Sequence, residues 1–158
     1  DRELGFSMST DKYNALDSDH FILEDIPGEI DFGEGKSRIY AQGEHYQILN
    51  MDQKYSRLVV NKYGKGRSVY FAGLPYSPQN CRLLLRAIYF AAHQEDEMKK
   101  FYVTNVDTEL AVFEQTGKIA VINNAKEPRA TDLYVQGTLF AHLDLNSMEM
   151  RWVDYNGS

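Results

Sequence analysis

Residues 64–78, GKGRSVYFAGLPYSP, place a glycine turn, an apolar strand and a loop directly before a long helix. The helix is predicted from residue 79 to about residue 94. Ser77 suits its N-cap, and Pro78 suits the first helical position, where the missing N–H of proline costs nothing. Turn, strand, loop and helix in this order are typical of the closing unit of an α/β layer.

The predicted helix has a wide apolar surface. Leu84, Ile88 and Ala91 recur on one helical face, and the apolar residues at 83, 85, 89 and 90 broaden it. A stripe of this width predicts a helix that is packed between a sheet and another layer. Residues 1–98 are therefore predicted to be the C-terminal part of a layered α/β domain.

Strands are predicted on the N-terminal side of the helix. Residues 20–24 predict a short strand or a helical turn, which Pro27 and Gly28 stop. Two hairpins follow, each formed by two segments around a short glycine loop: 37–41 with 46–51, and 57–63 with 67–72. The near-continuous apolar runs at 58–60 and 69–72 predict strands that are covered on both faces.

The chain changes character after the polar segment 94–100, which is the predicted domain boundary. From Phe101 onward the hydrophobic period approaches two, and about six short strands are expected. Strands at this spacing predict a small antiparallel β-sandwich over residues 99–158.

Charge and cysteine content narrow the classes of partner. The formal net charge is −6, from 17 basic and 23 acidic side chains without clustering, which argues against nucleic acid and anionic membranes as partners. Cys81 is the only cysteine, so no internal disulfide can form, and a reducing, cytoplasmic compartment is expected. The chain begins without Met or an apolar leader, and we expect it to derive from a longer polypeptide.

Several motifs together resemble one carbohydrate-active family. In the first part these are residues 9–14 (STDKYN), 64–67 (GKGR), 73–77 (GLPYS) and 80–84 (NCRLL). In the second part they are residues 114–118 (EQTGK), 121–124 (VINN) and 127–128 (EP). This set is similar to the lacto-N-biose phosphorylases of glycoside hydrolase family 112, over nearly the whole chain. The glycine hairpin with its helix also occurs in glutaminase-like domains of other glycosidases.

The resemblance implies a parent enzyme of three parts: an N-terminal (β/α)₈ barrel, a glutaminase-like α/β domain and a small β domain. Enzymes of the family are intracellular, and they convert β-galactosyl disaccharides and phosphate into galactose 1-phosphate and a free sugar. The reaction inverts the anomeric carbon, because phosphate attacks the face opposite to the leaving oxygen that a carboxylic acid protonates. Both the acid and the phosphate-binding groups belong to the barrel.

The same resemblance therefore implies no catalytic residue and no cofactor in this chain. The implied partners are the N-terminal barrel of the same polypeptide, a second copy in a homodimer and, through the whole enzyme, the galactoside and phosphate. The acceptor sugar is set by the barrel and is left open.

Three residues are candidates for a substrate rim or a domain interface: Asp11, Tyr13 and Tyr76. Tyr76 follows the carboxyl end of a predicted strand, where ligand crevices of open α/β sheets lie. Ordinary domain packing is the competing interpretation, since tyrosine often covers interfaces.

Other apparent sites have simpler interpretations. Asp17 and Asp19 open like a calcium loop, but Ile22 and Gly28 stand where that loop needs glycine and glutamate. We predict no metal site, and the acidic residues 11, 17, 19, 24 and 25 are expected to form a solvated loop. The glycines at 64 and 66 predict a hairpin turn rather than a phosphate loop, because a strand follows them.

Three other kinds of residue are assigned structural roles. Cys81 is predicted to be buried, and Trp152 is predicted to lie in the core of the β domain rather than to bind sugar. The histidines at 20, 45, 93 and 142 lack metal-ligand spacing and are expected at the surface or as caps. Two alternatives to a phosphorylase part remain, a carbohydrate-binding module and an oligomerisation unit.

Overall fold

A computed structural model of the protein describes residues 19–34, 39, 41, 45–52 and 55–156. These residues divide into two compact units. The first contains the described residues up to His20 and from Asp31 to Pro75. The second contains Phe21–Ile30 and the described residues from Tyr76 onward.

The first unit is a three-stranded antiparallel sheet in the order β1 (Tyr46–Asp52), β2 (Tyr55–Tyr63) and β3 (Gly66–Phe71). Three consecutive residues of β2, Leu58, Val59 and Val60, are buried, so both faces of this strand are covered, as predicted. The predicted partner of β1, residues 37–41, lies largely outside the described residues, so that hairpin stays a prediction. Within the described residues β1 pairs with β2.

A two-residue turn joins β2 to β3, which confirms the predicted hairpin. Tyr63 pairs with Gly66, and Gly64 has a φ of 57°. Glycine adopts this left-handed conformation without the Cβ clash that other residues meet, which is why a glycine opens the turn.

The second unit begins with a 3₁₀ turn at Phe21–Leu23, so the helical alternative for residues 20–24 is confirmed. Helix α1 spans Pro78–Ala91 and helix α2 spans Glu95–Lys100. Six strands follow: β4 (Phe101–Val103), β5 (Thr108–Phe113), β6 (Lys118–Asn123), β7 (Arg129–Val135), β8 (Thr138–Leu145) and β9 (Met150–Asp154). The described chain is thus mostly antiparallel sheet with two helices, and the β-rich second half is confirmed.

The six strands form two three-stranded antiparallel sheets, β4–β7–β8 and β5–β6–β9. One core lies between them. Val103, Leu133, Leu143 and Leu145 come from the first sheet, and Ile119 and Val121 come from β6 of the second. Their burial in one cluster accounts for the period-two pattern of the sequence, because alternate residues of a strand face the same side.

Helix α1 begins as the sequence predicts. The Ser77 hydroxyl accepts a hydrogen bond of 3.0 Å from the Asn80 N–H, and Pro78 is the first helical residue. The prediction that the apolar stripe is covered on two sides is correct for only one. Leu83 and Phe90 are buried, whereas Leu84 and Ile88 are 42% and 57% exposed.

Trp152 corrects another prediction, because it is 53% exposed and does not lie in the core. Its neighbours Arg151 and Val153 are less exposed than Trp152 on strand β9. Since side chains alternate along a strand, Val153 packs against the core and Trp152 projects from the opposite face. Neither helix within the described residues is long and apolar enough to cross a membrane.

Substitution of Leu133 tests whether the two sheets share one core. Its side chain is fully buried on β7, and truncation to alanine leaves a cavity, so Leu133→Ala should lower the free energy of unfolding by about 2–5 kcal/mol. Leu139→Ala on β8 is the matched control, since Leu139 is 53% exposed, and its loss should stay below about 1 kcal/mol. Urea denaturation followed by circular dichroism measures both. Equal losses would contradict this core assignment.

Candidate functional site

A groove with a volume of about 510 Å³ runs beside helix α1 in the second unit and is called the α1 groove below. The helix side of the groove is formed by Tyr76, Cys81, Arg82, Leu85 and Tyr89. The strand side is formed by Phe101, Tyr102, Thr108, Glu109 and Leu110. The helical residues follow a spacing of three to four, which brings them onto one side of α1.

Arg82 lines the α1 groove and connects helix α1 to strand β4 and the loop after it. Its guanidinium donates hydrogen bonds to the carbonyl oxygens of Val103 at 2.7 Å and Asn105 at 3.2 Å. Burial, followed by the nearby charge of Arg86, lowers the pKa of Arg82. The guanidinium nevertheless remains protonated, because its ordinary pKa is so high, and it serves as a fixed donor rather than as a proton carrier.

Arg86 lies one helical turn further along α1 and is only 2% exposed. It forms ion pairs with Asp25 at 2.7 Å and Glu24 at 3.2 Å, and it donates a 2.9 Å hydrogen bond to the Phe21 carbonyl. The amine of Lys99 reaches the second oxygen of Glu24 at 2.9 Å. These contacts fasten the segment 21–25 to α1 and satisfy a charge that could not otherwise be buried.

The arginine cluster corrects the interpretation of the acidic segment. Glu24 and Asp25 are not part of a purely solvated loop, because both carboxylates are engaged by Arg86. The signal in the sequence was Arg86 itself, because its spacing from Leu83 and Phe90 places it on the buried side of the helix. A charge in that position requires carboxylate partners from elsewhere in the chain.

Tyr102 lines the strand side of the α1 groove. Its ring stacks on Tyr134, with centroids 4.5 Å apart and planes 7° from parallel. Burial and then the neighbouring Tyr134 raise the pKa of the Tyr102 phenol, so it remains neutral at physiological pH. Tyr102 therefore presents an aromatic ring with an uncharged hydroxyl group to the groove.

Of the three candidate residues, only Tyr76 lies within the described part of the chain. Tyr76 is 93% exposed and borders the α1 groove just before the helix begins. Asp11 and Tyr13 lie outside the described residues. The structure therefore places Tyr76 at the edge of the groove, and the grouping of the three candidates stays a prediction.

Cys81 is exposed and borders the α1 groove, so the prediction of a buried cysteine is wrong. The buried side of α1 is defined by Asn80, Leu83, Ala87 and Phe90, and one helical residue corresponds to a rotation of about 100°. Cys81 is therefore turned away from that side. Position in the first helical turn could not settle the direction of the thiol.

The lining of the α1 groove combines charged, polar and apolar side chains. Among the described residues, no group of three or more His, Cys, Asp or Glu side chains could hold a metal ion. One groove carboxylate, Asp107, is already engaged by Arg129 at 2.6 Å. With Arg82 committed to backbone carbonyls, aromatic and aliphatic side chains lie beside the carboxylates of Glu97 and Glu109, which suits contact with a surface that is both apolar and polar.

Two family profiles match the chain in succession. The profile described as "Lacto-N-biose phosphorylase central domain" matches residues 1–96. The profile described as "Lacto-N-biose phosphorylase C-terminal domain" matches residues 101–153.

Three curated relatives share the name 1,3-beta-galactosyl-N-acetylhexosamine phosphorylase. One from Lachnoclostridium phytofermentans is 48% identical over 84% of this chain and 18% of its own length. A second from that organism is 42% identical over 98% of this chain and 21% of its own length. The relative from Bifidobacterium longum subsp. longum is 32% identical over 96% of this chain and 24% of its own length. The chain thus spans about a fifth of these relatives.

The Arg86 cluster predicts a large loss of stability on substitution. Arg86→Ala leaves Asp25 and Glu24 without their partner, so the free energy of unfolding should fall by about 3–5 kcal/mol. The matched control is Lys118→Ala, whose pair with Asp154 is 3.7 Å long and half-exposed, and it should cost less than about 1 kcal/mol. Urea denaturation measures both variants, and similar costs would refute a stabilising role for Arg86.

Proposed function

The chain belongs to the lacto-N-biose phosphorylase family, and from this membership we propose that it forms the non-catalytic C-terminal part of an inverting 1,3-β-galactosyl-N-acetylhexosamine phosphorylase. The observation that carries the proposal is the succession of a central-domain match and a C-terminal-domain match along one chain. Relatives that bear the enzyme's name are four to five times longer, since the chain spans 18–24% of them.

In this proposal the complete enzyme converts a β-galactosyl-N-acetylhexosamine and phosphate into galactose 1-phosphate and N-acetylhexosamine. A carboxylic acid protonates the leaving oxygen while phosphate attacks the opposite face of the anomeric carbon. Both reacting groups are held by an N-terminal barrel, and no residue of this chain takes part in the chemical step. The chain contributes support to the barrel and to a cytoplasmic homodimer.

The finer architecture is also a proposal. Residues 1–98 correspond to the end of a glutaminase-like α/β domain, and residues 99–158 correspond to the C-terminal β domain of the family. The exposed side of α1 supports this assignment, because a helix that lies inside a layered domain needs apolar residues on both sides.

The α1 groove and the exposed side of α1 are the proposed contact with the N-terminal part of the polypeptide. Leu84, Leu85 and Ile88 are 42–57% exposed, and Tyr76, which lies two residues before the helix begins, is 93% exposed. Contiguous exposed apolar side chains of this kind mark interaction surfaces in soluble proteins. Tyr76 would then be an interface residue, which is one of the two roles proposed for it.

A phosphorolysis assay tests whether the chain lacks activity by itself. The purified chain, incubated with lacto-N-biose and phosphate, should release no galactose 1-phosphate above a blank without protein, because the acid and the phosphate-binding groups are supplied elsewhere. The Bifidobacterium relative provides the positive control. Product that increases in proportion to the concentration of the chain would overturn the non-catalytic assignment.

A chimera tests the supporting role. The chain replaces the segment of the Lachnoclostridium relative to which it is 48% identical, and the chimera should release galactose 1-phosphate. The double variant Leu84→Glu/Ile88→Glu should reduce this release at least about tenfold, since carboxylates are costly in an apolar contact. Leu139→Glu/Phe140→Glu, which also alters two exposed apolar residues, should retain activity. Equal activity of both double variants would exclude α1 as the contact.

A further inference from the structure

The outer face of the sheet β5–β6–β9 carries an exposed aromatic surface that the proposed function does not use. Trp152 is 53% exposed, Phe113 is 47% exposed and Met150 is 54% exposed. The centroids of the Trp152 and Phe113 rings lie 5.4 Å apart, with planes at 48°. We call this surface, formed by Ala111, Phe113, Lys118, Ala120, Trp152 and Asp154, the Trp152 face.

Strand register places these side chains together. Ala120 of the central strand pairs with Ala111 on one side and Trp152 on the other. Ile119 and Val121 face the core, so Ala120 between them faces outward. Ala120 is nevertheless only 2% exposed, because other side chains on the outer face cover it. The small side chains of Ala111 and Ala120 leave space on the outer face for the indole ring of Trp152, and the Phe113 ring lies beside the indole.

Polar groups lie at one end of the aromatic surface. Lys118 pairs with both Phe113 and Asp154 in the register, and the Lys118 amine is 3.7 Å from the Asp154 carboxylate. Both side chains are more than half-exposed. Asp154 lies two residues beyond Trp152 on the same face, a separation of about 7 Å along the strand. A carboxylate acceptor and an ammonium donor thus stand next to an exposed indole.

We propose that the Trp152 face binds a saccharide. A pyranose ring has an apolar C–H face that can pack on the indole, and its hydroxyl groups both donate and accept hydrogen bonds at the rim. Asp154 can accept from one hydroxyl and Lys118 can donate to the next, so the face complements both parts of a sugar. That the sugar is a β-galactoside rests on the proposed function.

The size of the Trp152 face favours a sugar over a second copy of the chain. Three strands and five residues cover about 10 Å by 13 Å, which is the scale of one or two pyranose rings. A stable protein interface buries about 800 Å² on each partner, several times more than this face offers.

The chain contains one tryptophan, so fluorescence excited at wavelengths that tryptophan absorbs and tyrosine does not reports only on the Trp152 face. Titration with lacto-N-biose, without phosphate, should change the emission saturably below about 50 mM, a concentration that reaches even weak sites. An unchanged emission throughout this range overturns the proposal. A change that instead follows the protein concentration without sugar assigns the face to a second copy and overturns it as well.

Calorimetric titration of variants locates the binding. Trp152→Ala should abolish the heat of binding, whereas Trp152→Phe should keep measurable binding because a ring remains. Phe113→Ala should weaken binding about fivefold, the equivalent of one aromatic pair. Tyr63→Ala is the control, since Tyr63 is 87% exposed on β2, and its affinity should be unchanged. Unchanged binding by Trp152→Ala refutes the assignment.

This binding experiment is separate from the test of the proposed function. It uses the chain alone and no phosphate, so a missing fluorescence change leaves the chimera result intact. An inactive chimera, conversely, would leave a saturable titration with lacto-N-biose in place, so the two proposals fail independently.

Discussion

The buried charge of Arg86 is the constraint on which the second unit depends. Its guanidinium is 2% exposed, and both of its carboxylate partners lie more than sixty residues earlier in the chain. Helix α1 therefore cannot bury this side unless the 3₁₀ turn at Phe21–Leu23 and the residues after it are in place. The Arg86 guanidinium carbon also lies 5.0 Å from the Phe21 ring centroid, so charge and packing hold the same segment.

Arg82 and Arg86, one helical turn apart, connect α1 to two different segments of the chain. Arg86 holds the segment that precedes the first sheet in the chain, and Arg82 holds the carbonyls of Val103 and Asn105 at the start of the β domain. The helix thus fixes two segments by polar contacts on one side. Its other side remains apolar and exposed at Leu84 and Ile88, which is the arrangement expected of a helix with an interaction surface.

In the sheet β5–β6–β9, the residues that face the core and the residues that face outward have different roles. Ile119 and Val121 contribute to the core, while Ala120 between them supports the exposed ring of Trp152. Because successive side chains point to opposite faces, the outer residues can change without disturbing the packing inside. A recognition surface on the Trp152 face is therefore compatible with the core that the two sheets share among the described residues.

Local sequence determined much of this protein, since hydrogen-bonding and backbone preferences act over a few residues. Ser77 with Pro78 identified the start of α1, Gly64 identified a hairpin turn, and alternation identified the β-rich second half. Only the tertiary structure decided which side of α1 is buried, that Glu24 and Asp25 meet Arg86, and that Trp152 is exposed. These outcomes depend on partners distant in sequence, and an amphipathic period specifies that faces differ without specifying what covers each of them.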